Sequence, residues 1–123
     1  MQRNPDILRD IMLAAEKQPA GHKLYASAIK TVSDNPHEIA DHIQQLIEIG
    51  YLDATVQFYG RDTPPKAVIH RIKGPGHDFL QAMRDDTVWR MVKEKVMVPA
   101  ASWTLATAVK YAEQWLAKKL GLG

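Results

Sequence analysis

The stretch from Asn35 to Leu52, NPHEIADHIQQLIEIGYL, constrains the chain more than any other. Asn35 is suited to cap a helix, because its side-chain oxygen accepts from the free N–H groups of the first turn. Pro36 suits the first helical position, where no N–H is needed. Glu38 stands where a capping box wants its acid. Ile39, Ile43, Leu46 and Ile47 then recur at helical spacing. Gly50 supplies the left-handed residue that ends a helix. Tyr51 to Tyr59 alternates like a strand, with Leu52, Ala54, Val56 and Phe58 on one side and Asp53, Thr55 and Gln57 on the other. A polar turn over Gly60–Pro65 leads into a returning strand, Ala67–Ile72. A helix running into a hairpin with a proline-bearing tip is the layout of a winged helix-turn-helix, with the hairpin as its wing.

The flanking sequence fits that layout. A first helix is expected from Pro5 to about Lys17, capped by Asn4, with Ile7, Leu8, Ile11, Ala14 and Ala15 on one face. His22–Val32 reads either as a short strand leading into a turn or as a loose helical turn. Gly74-Pro75-Gly76 breaks the returning strand, and a helix follows from His77 to about Lys95. Asp85-Asp86-Thr87 offers a second cap inside it, so a kink or break is expected there. Val98-Pro99-Ala100 reads as a linker, and Ser102 can cap a last helix through Leu120. The fold class is therefore α+β, a winged helix-turn-helix with two appended C-terminal helices. Residues 1–75 form the core and residues 76–123 a helical extension packed on it as one unit.

A chain of 123 residues buries roughly two-thirds of its unfolded surface and needs no covalent staple. It has no cysteine, which removes disulfides and thiolate metal sites. No apolar run approaches the roughly 20 residues of a membrane span. MQRNPDILRD carries charges where a signal peptide is apolar. A cytoplasmic protein is expected. Net charge is +2, but residues 1–60 carry a balance of −3 and residues 61–123 a balance of +5. A nucleic-acid partner is thus expected on the second half.

The segment IHRIKGPGHDFLQAMRDDTVWRMVKEK resembles a family of short bacterial and prophage proteins of unknown function. The features that carry the resemblance are Gly76–Leu80 (Gly-His-Asp-Phe-Leu), Arg84–Trp89 (Arg-Asp-Asp-x-x-Trp) and Lys93–Lys95. His42, ahead of a helix end marked by Leu46 and Gly50, also matches. Lys73-Gly74-Pro75 departs from the usual threonine between the wing strand and the glycine. The resemblance implies a winged helix-like fold and a phage or prophage setting, and it implies no activity.

Few residues offer chemistry. His37 and His42 are five apart, about 140° around a helix, and cannot share a metal from one face. His42 reads as half-buried. Asp78, Asp85 and Asp86 with His77 have the elements of an acid–base or metal site, but acids at helix starts more commonly cap and complement the dipole. No phosphate loop or nucleophile elbow occurs. Neither an enzyme nor a cofactor is expected.

Two functions compete. In the first, the protein is a small DNA-binding regulator that puts the wing and the helix over residues 35–49 on duplex DNA. Its contacts would be His37, Asp41, Gln44 and Gln45 on the helix and Arg61, Lys66, Arg71 and Lys73 on the wing. The outward helix face, however, carries Glu38, Asp41 and Glu48 and no Lys or Arg, which opposes phosphate binding. In the second, the same surface takes a protein partner without DNA. A homodimer is also expected, through the near-heptad stripe of Leu105, Val109, Ala112 and Leu116, with Trp89, Trp103 and Trp115 alongside.

Overall fold

Helix α1 (Pro5–Glu16) begins where the sequence places it. The Asn4 side chain accepts from the Asp6 N–H, and Pro5 occupies the first turn. Ile7, Leu8, Ile11 and Met12 are fully buried on its inner face. Strand β1 is only Leu24–Tyr25, followed by a 3-10 turn over Ala26–Ala28. His22–Val32 thus holds both the short strand and the tight turn. The computed structural model describes residues 3–99 and 102–121.

Helix α2 (Pro36–Glu48) is capped by Asn35, whose side chain accepts from the His37 N–H. The Asn35 N–H itself donates to Ser33 Oγ at 3.1 Å, so Ser33 takes the place expected for Glu38 in the cap. The helix ends as Gly50 requires. Gly50 has φ of 77°. Its N–H bonds the Ile47 carbonyl, and the Tyr51 N–H bonds that of Leu46. This pair of bonds satisfies carbonyls that a helix end leaves free. Ile43 and Leu46 are fully buried, and α2 packs on both α1 and strand β2 (Leu52–Gln57).

His42 is not half-buried; it has no exposed surface. Its Nδ1 lies 2.7 Å from the Glu38 carbonyl, and its Nε2 lies 2.9 Å from the Asn4 N–H. The carbonyl only accepts and the backbone N–H only donates. The ring is therefore neutral with the proton on Nδ1.

Strand β2 pairs antiparallel with β3 (Lys66–Ile72), and β1 pairs antiparallel with the other side of β3, giving the order β1-β3-β2. The register runs Gln57 with Lys66, Thr55 with Val68, Ala54 with Ile69, and then Asp53 with Arg71. His70 is the extra residue of a bulge. A strand without it would send residues 66, 68, 70 and 72 to one face. With it, Arg71 joins the outer face and Ile72 turns inward opposite the buried Leu52.

Two compact units divide the chain, Met1–His77 and Asp78–Gly123. Gly74-Pro75-Gly76 does not separate strand from helix by a loop, because helix α3 (Gly74–Met83) starts at Gly74. Pro75 is tolerated in a first turn, whose N–H groups have no helical partner. The expected long helix is then broken. Asp85 accepts from the N–H groups of Thr87 and Val88 and starts α4 (Asp86–Val92), which continues into a π-turn over Lys93–Met97. The last helix, α5 (Leu105–Lys119), is capped by Thr104 rather than Ser102. Among the described residues, three α-helices therefore follow the sheet, not two. Ala100, assigned to the linker, lies outside the described residues.

Within the second unit, Phe79 and Trp89 meet edge to face with centroids 6.2 Å apart. Leu105, Val109 and Ala112 are buried in the single chain and Leu116 is half-buried. Three of the four residues expected to face a second copy thus belong to the chain's own core. A helix with every fourth residue apolar serves an intrachain core as readily as a coiled coil, and the sequence pattern alone does not separate them.

Candidate functional site

The candidate residues gather in two places in the first unit. One is the corner where α2 starts beside the turn after β2. The His37 ring places Nε2 3.0 Å from the Gly60 carbonyl, to which it donates. Gly60 has φ of 97°, a conformation that a side chain makes costly. The bond ties the tip loop of the wing to the first turn of α2.

Farther along α2, Gln45 Nε2 donates to Asp41 Oδ2 at 2.9 Å. The Gln45 Oε1 is buried without a hydrogen bond among the described residues. The amide is therefore turned into the protein and held by its own helix. Gln44 and Asp41 are half-buried, and Glu48 is exposed. Of the four helix residues expected to reach a partner, His37, Asp41 and Gln45 are engaged inside the fold. Ile49, Phe58 and Tyr59 are each about half exposed: 49%, 52% and 49%. None of the three stood among the expected contacts. Tyr59 donates to Gln57 Oε1 at 2.7 Å.

The other place is the outer face of the sheet. Lys66, Val68, His70 and Arg71 of β3 share it with Asp53, Thr55 and Gln57 of β2, and Tyr25 of β1 stands beside Val68. Arg71 Nε is 3.4 Å from Asp53 Oδ2, with both side chains well exposed. Such a pair adds at most about 1 kcal/mol, but it neutralises the arginine locally. His70 Nε2 and Thr55 Oγ1 are 3.0 Å apart. A groove of about 490 Å³ opens on this face between Tyr25, Ser27, Gln57, Pro65, Lys66 and Val68.

The four cations expected on the wing therefore do not converge. Lys66 and Arg71 stand on the outer face, Arg61 is exposed on the turn, and Lys73 is exposed just ahead of α3. The first unit as a whole carries nine basic and nine acidic residues. The acids singled out downstream are likewise structural in part, since Asp85 serves the α4 cap.

A family model described as "Hypothetical protein (DUF2513)" matches residues 2–102. The chain belongs to the DUF2513 family. Neither a curated protein nor a solved structure matches it. Two of the residues that carry the resemblance have a structural explanation in this DUF2513 chain. His42 is the buried link to Asn4. Gly76 lies where a Cβ would meet the Tyr51 carbonyl oxygen, Ile72 Cγ2 at 2.8 Å and Met12 Cε at 2.9 Å. The same Tyr51 carbonyl accepts the Lys73 N–H at 2.9 Å. Only glycine lets α3 start this close to the end of α2.

Proposed function

We propose that this DUF2513 chain is a protein-interaction module on a winged-helix scaffold, acting in the cytoplasm without catalysing a reaction. The scaffold reading rests on the order helix, short strand, turn, helix, hairpin and on the strand order β1-β3-β2. In it the 3-10 turn at Ala26–Ala28 stands where such folds have a second helix, an analogy of fold alone.

The observation that carries the interaction reading is the α2 face. Pro36–Glu48 contains no Lys or Arg, while Glu38, Asp41 and Glu48 are acidic. The glutamine best suited to read a base is held by Asp41. Phosphate neutralisation supplies most nucleic-acid affinity, and this face opposes it. An acidic corner with Phe58 and Tyr59 exposed nearby suits a basic protein surface with an apolar centre. The resemblance implies a phage or prophage setting, in which such a module would act as a modulator of a host protein.

Duplex DNA is the second reading, favoured by Arg61 and Lys66, both exposed on the hairpin. A salt series of binding to random-sequence duplex DNA separates the two. The interaction module gives weak binding with a shallow dependence. A DNA regulator gives affinity that falls steeply with salt, and Arg61→Ala with Lys66→Ala flattens the slope by about two units. A photo-crosslinker at Phe58, exposed two residues before Gly60, tests the corner directly. A single cross-linked protein, lost in the Asp41→Lys variant, is the expected result; cross-linking unchanged by Asp41→Lys counts against the corner.

A further inference from the structure

Strand β1 stops after two residues. Leu24 pairs with Ile69 and Tyr25 with Val68, and the chain then coils into the 3-10 turn. Strand β3 extends beyond this ladder through Ala67 and Lys66, whose strand partners are on β2 alone. On the β1 side of β3, at its Lys66 end, the 3-10 turn packs where a longer strand would pair. The groove of about 490 Å³ lies across the outer face there, between Tyr25–Ser27 on one side and Thr55 and Gln57 of β2 on the other.

The groove has the features of a peptide site rather than of a nucleic-acid site. Tyr25, Pro65 and Val68 give it a carbon-rich wall, and Lys66 is the charged residue of its lining. Tyr25 is 61% exposed at the end of the edge strand β1. A phosphate chain needs a series of cations. Here Arg71, the next cation on the face, is already matched by Asp53. A single cation beside an apolar wall instead complements a carboxylate next to an apolar side chain.

We propose that this groove binds an extended segment of a partner protein, laid across the outer face of β3 beside the end of β1. An apolar side chain lies against Tyr25 and Val68, and an adjacent carboxylate meets Lys66. The surface is the outer face of the sheet, whereas α2 packs on β2 beneath the inner residues Leu52 and Ile69. The inference is therefore independent of the α2 corner.

The test is a selection of short random peptides displayed on phage against the full chain. The selected peptide is then synthesised and titrated into isotope-labelled protein. Expected are peptides sharing an acid beside an apolar residue, with shifts at the amides of Tyr25, Ser27, Lys66 and Val68. Lys66→Glu and Tyr25→Ala should each weaken binding about tenfold or more. Both side chains are exposed, so circular dichroism should remain that of the parent protein. The Asp41→Lys protein should select the same peptides, which separates this groove from the α2 corner. The proposal is overturned by no enrichment, by peptides without an acid, by shifts confined to α2, or by affinity indifferent to Lys66→Glu. Oligothymidylate that shifts the same amides with steep salt dependence would also overturn it and assign the face to single-stranded nucleic acid.

Discussion

The backbone N–H of Asn4 donates to Nε2 of His42 across 2.9 Å, joining the cap of α1 to the middle of α2. Asn4 at the same time caps α1 through its side chain, which accepts from the Asp6 N–H. The orientation of the imidazole is set from its other side by the Glu38 carbonyl. One ring thus fixes where the first helix starts relative to the second. His42→Ala removes a fully buried side chain and leaves the Asn4 N–H without its acceptor. The expected cost is about 2–4 kcal/mol in urea unfolding, with lost exchange protection at Leu8. A change under about 0.5 kcal/mol would mean that α1 does not depend on this link.

Gly76 and Gly74 provide a matched pair. A Cβ at Gly76 meets the Tyr51 carbonyl and the Ile72 and Met12 side chains, whereas one at Gly74 meets nothing within 4 Å. Gly76→Ala should cost about 1–3 kcal/mol through overpacking. Gly74→Ala should be neutral or stabilise by up to about 1 kcal/mol, because alanine lowers the entropy of the unfolded chain. Equal thermal midpoints for the two variants would contradict the close approach.

Leu46 is fully buried, and its carbonyl closes the helix end at Tyr51. Leu46→Ala should lose about 2–4 kcal/mol. Denaturant midpoints at constant m-value are the measurement, and a loss under about 0.5 kcal/mol would mean the buried face of α2 is assigned wrongly.

His37 ties the wing to α2 through Gly60. The bond is exposed, so His37→Ala should change global stability by no more than about 1 kcal/mol. Its effect should be local, as lower amide order parameters from Phe58 to Thr63. Unaltered order there would show that the turn is held by something else.

Leu105 is buried within the single chain. Leu105→Ala should therefore destabilise the protein by about 2–4 kcal/mol, with a loss that does not vary with protein concentration. Concentration-dependent unfolding of the parent protein would restore the stripe to an interface between copies.

The helix over Pro36–Glu48, its Asn35 cap, its Gly50 stop and the hairpin after it were all legible in the sequence. Each rests on contacts between residues near one another in the chain, where capping, helical periodicity and strand alternation act. The break at Asp85 was legible for the same reason, since an aspartate can cap whatever helix begins at the next residue. What the sequence could not supply are relations between distant residues. Nothing local marks His42 as the acceptor for Asn4, His70 as the bulged residue that turns Arg71 outward, or Tyr25 as the neighbour of Lys66. The same holds for Gln45, which reads as an outward base contact until tertiary packing buries its carbonyl. Local chemistry decided which elements form. Only packing across the chain decided which faces they present, because burial and register depend on partners that the local sequence does not contain.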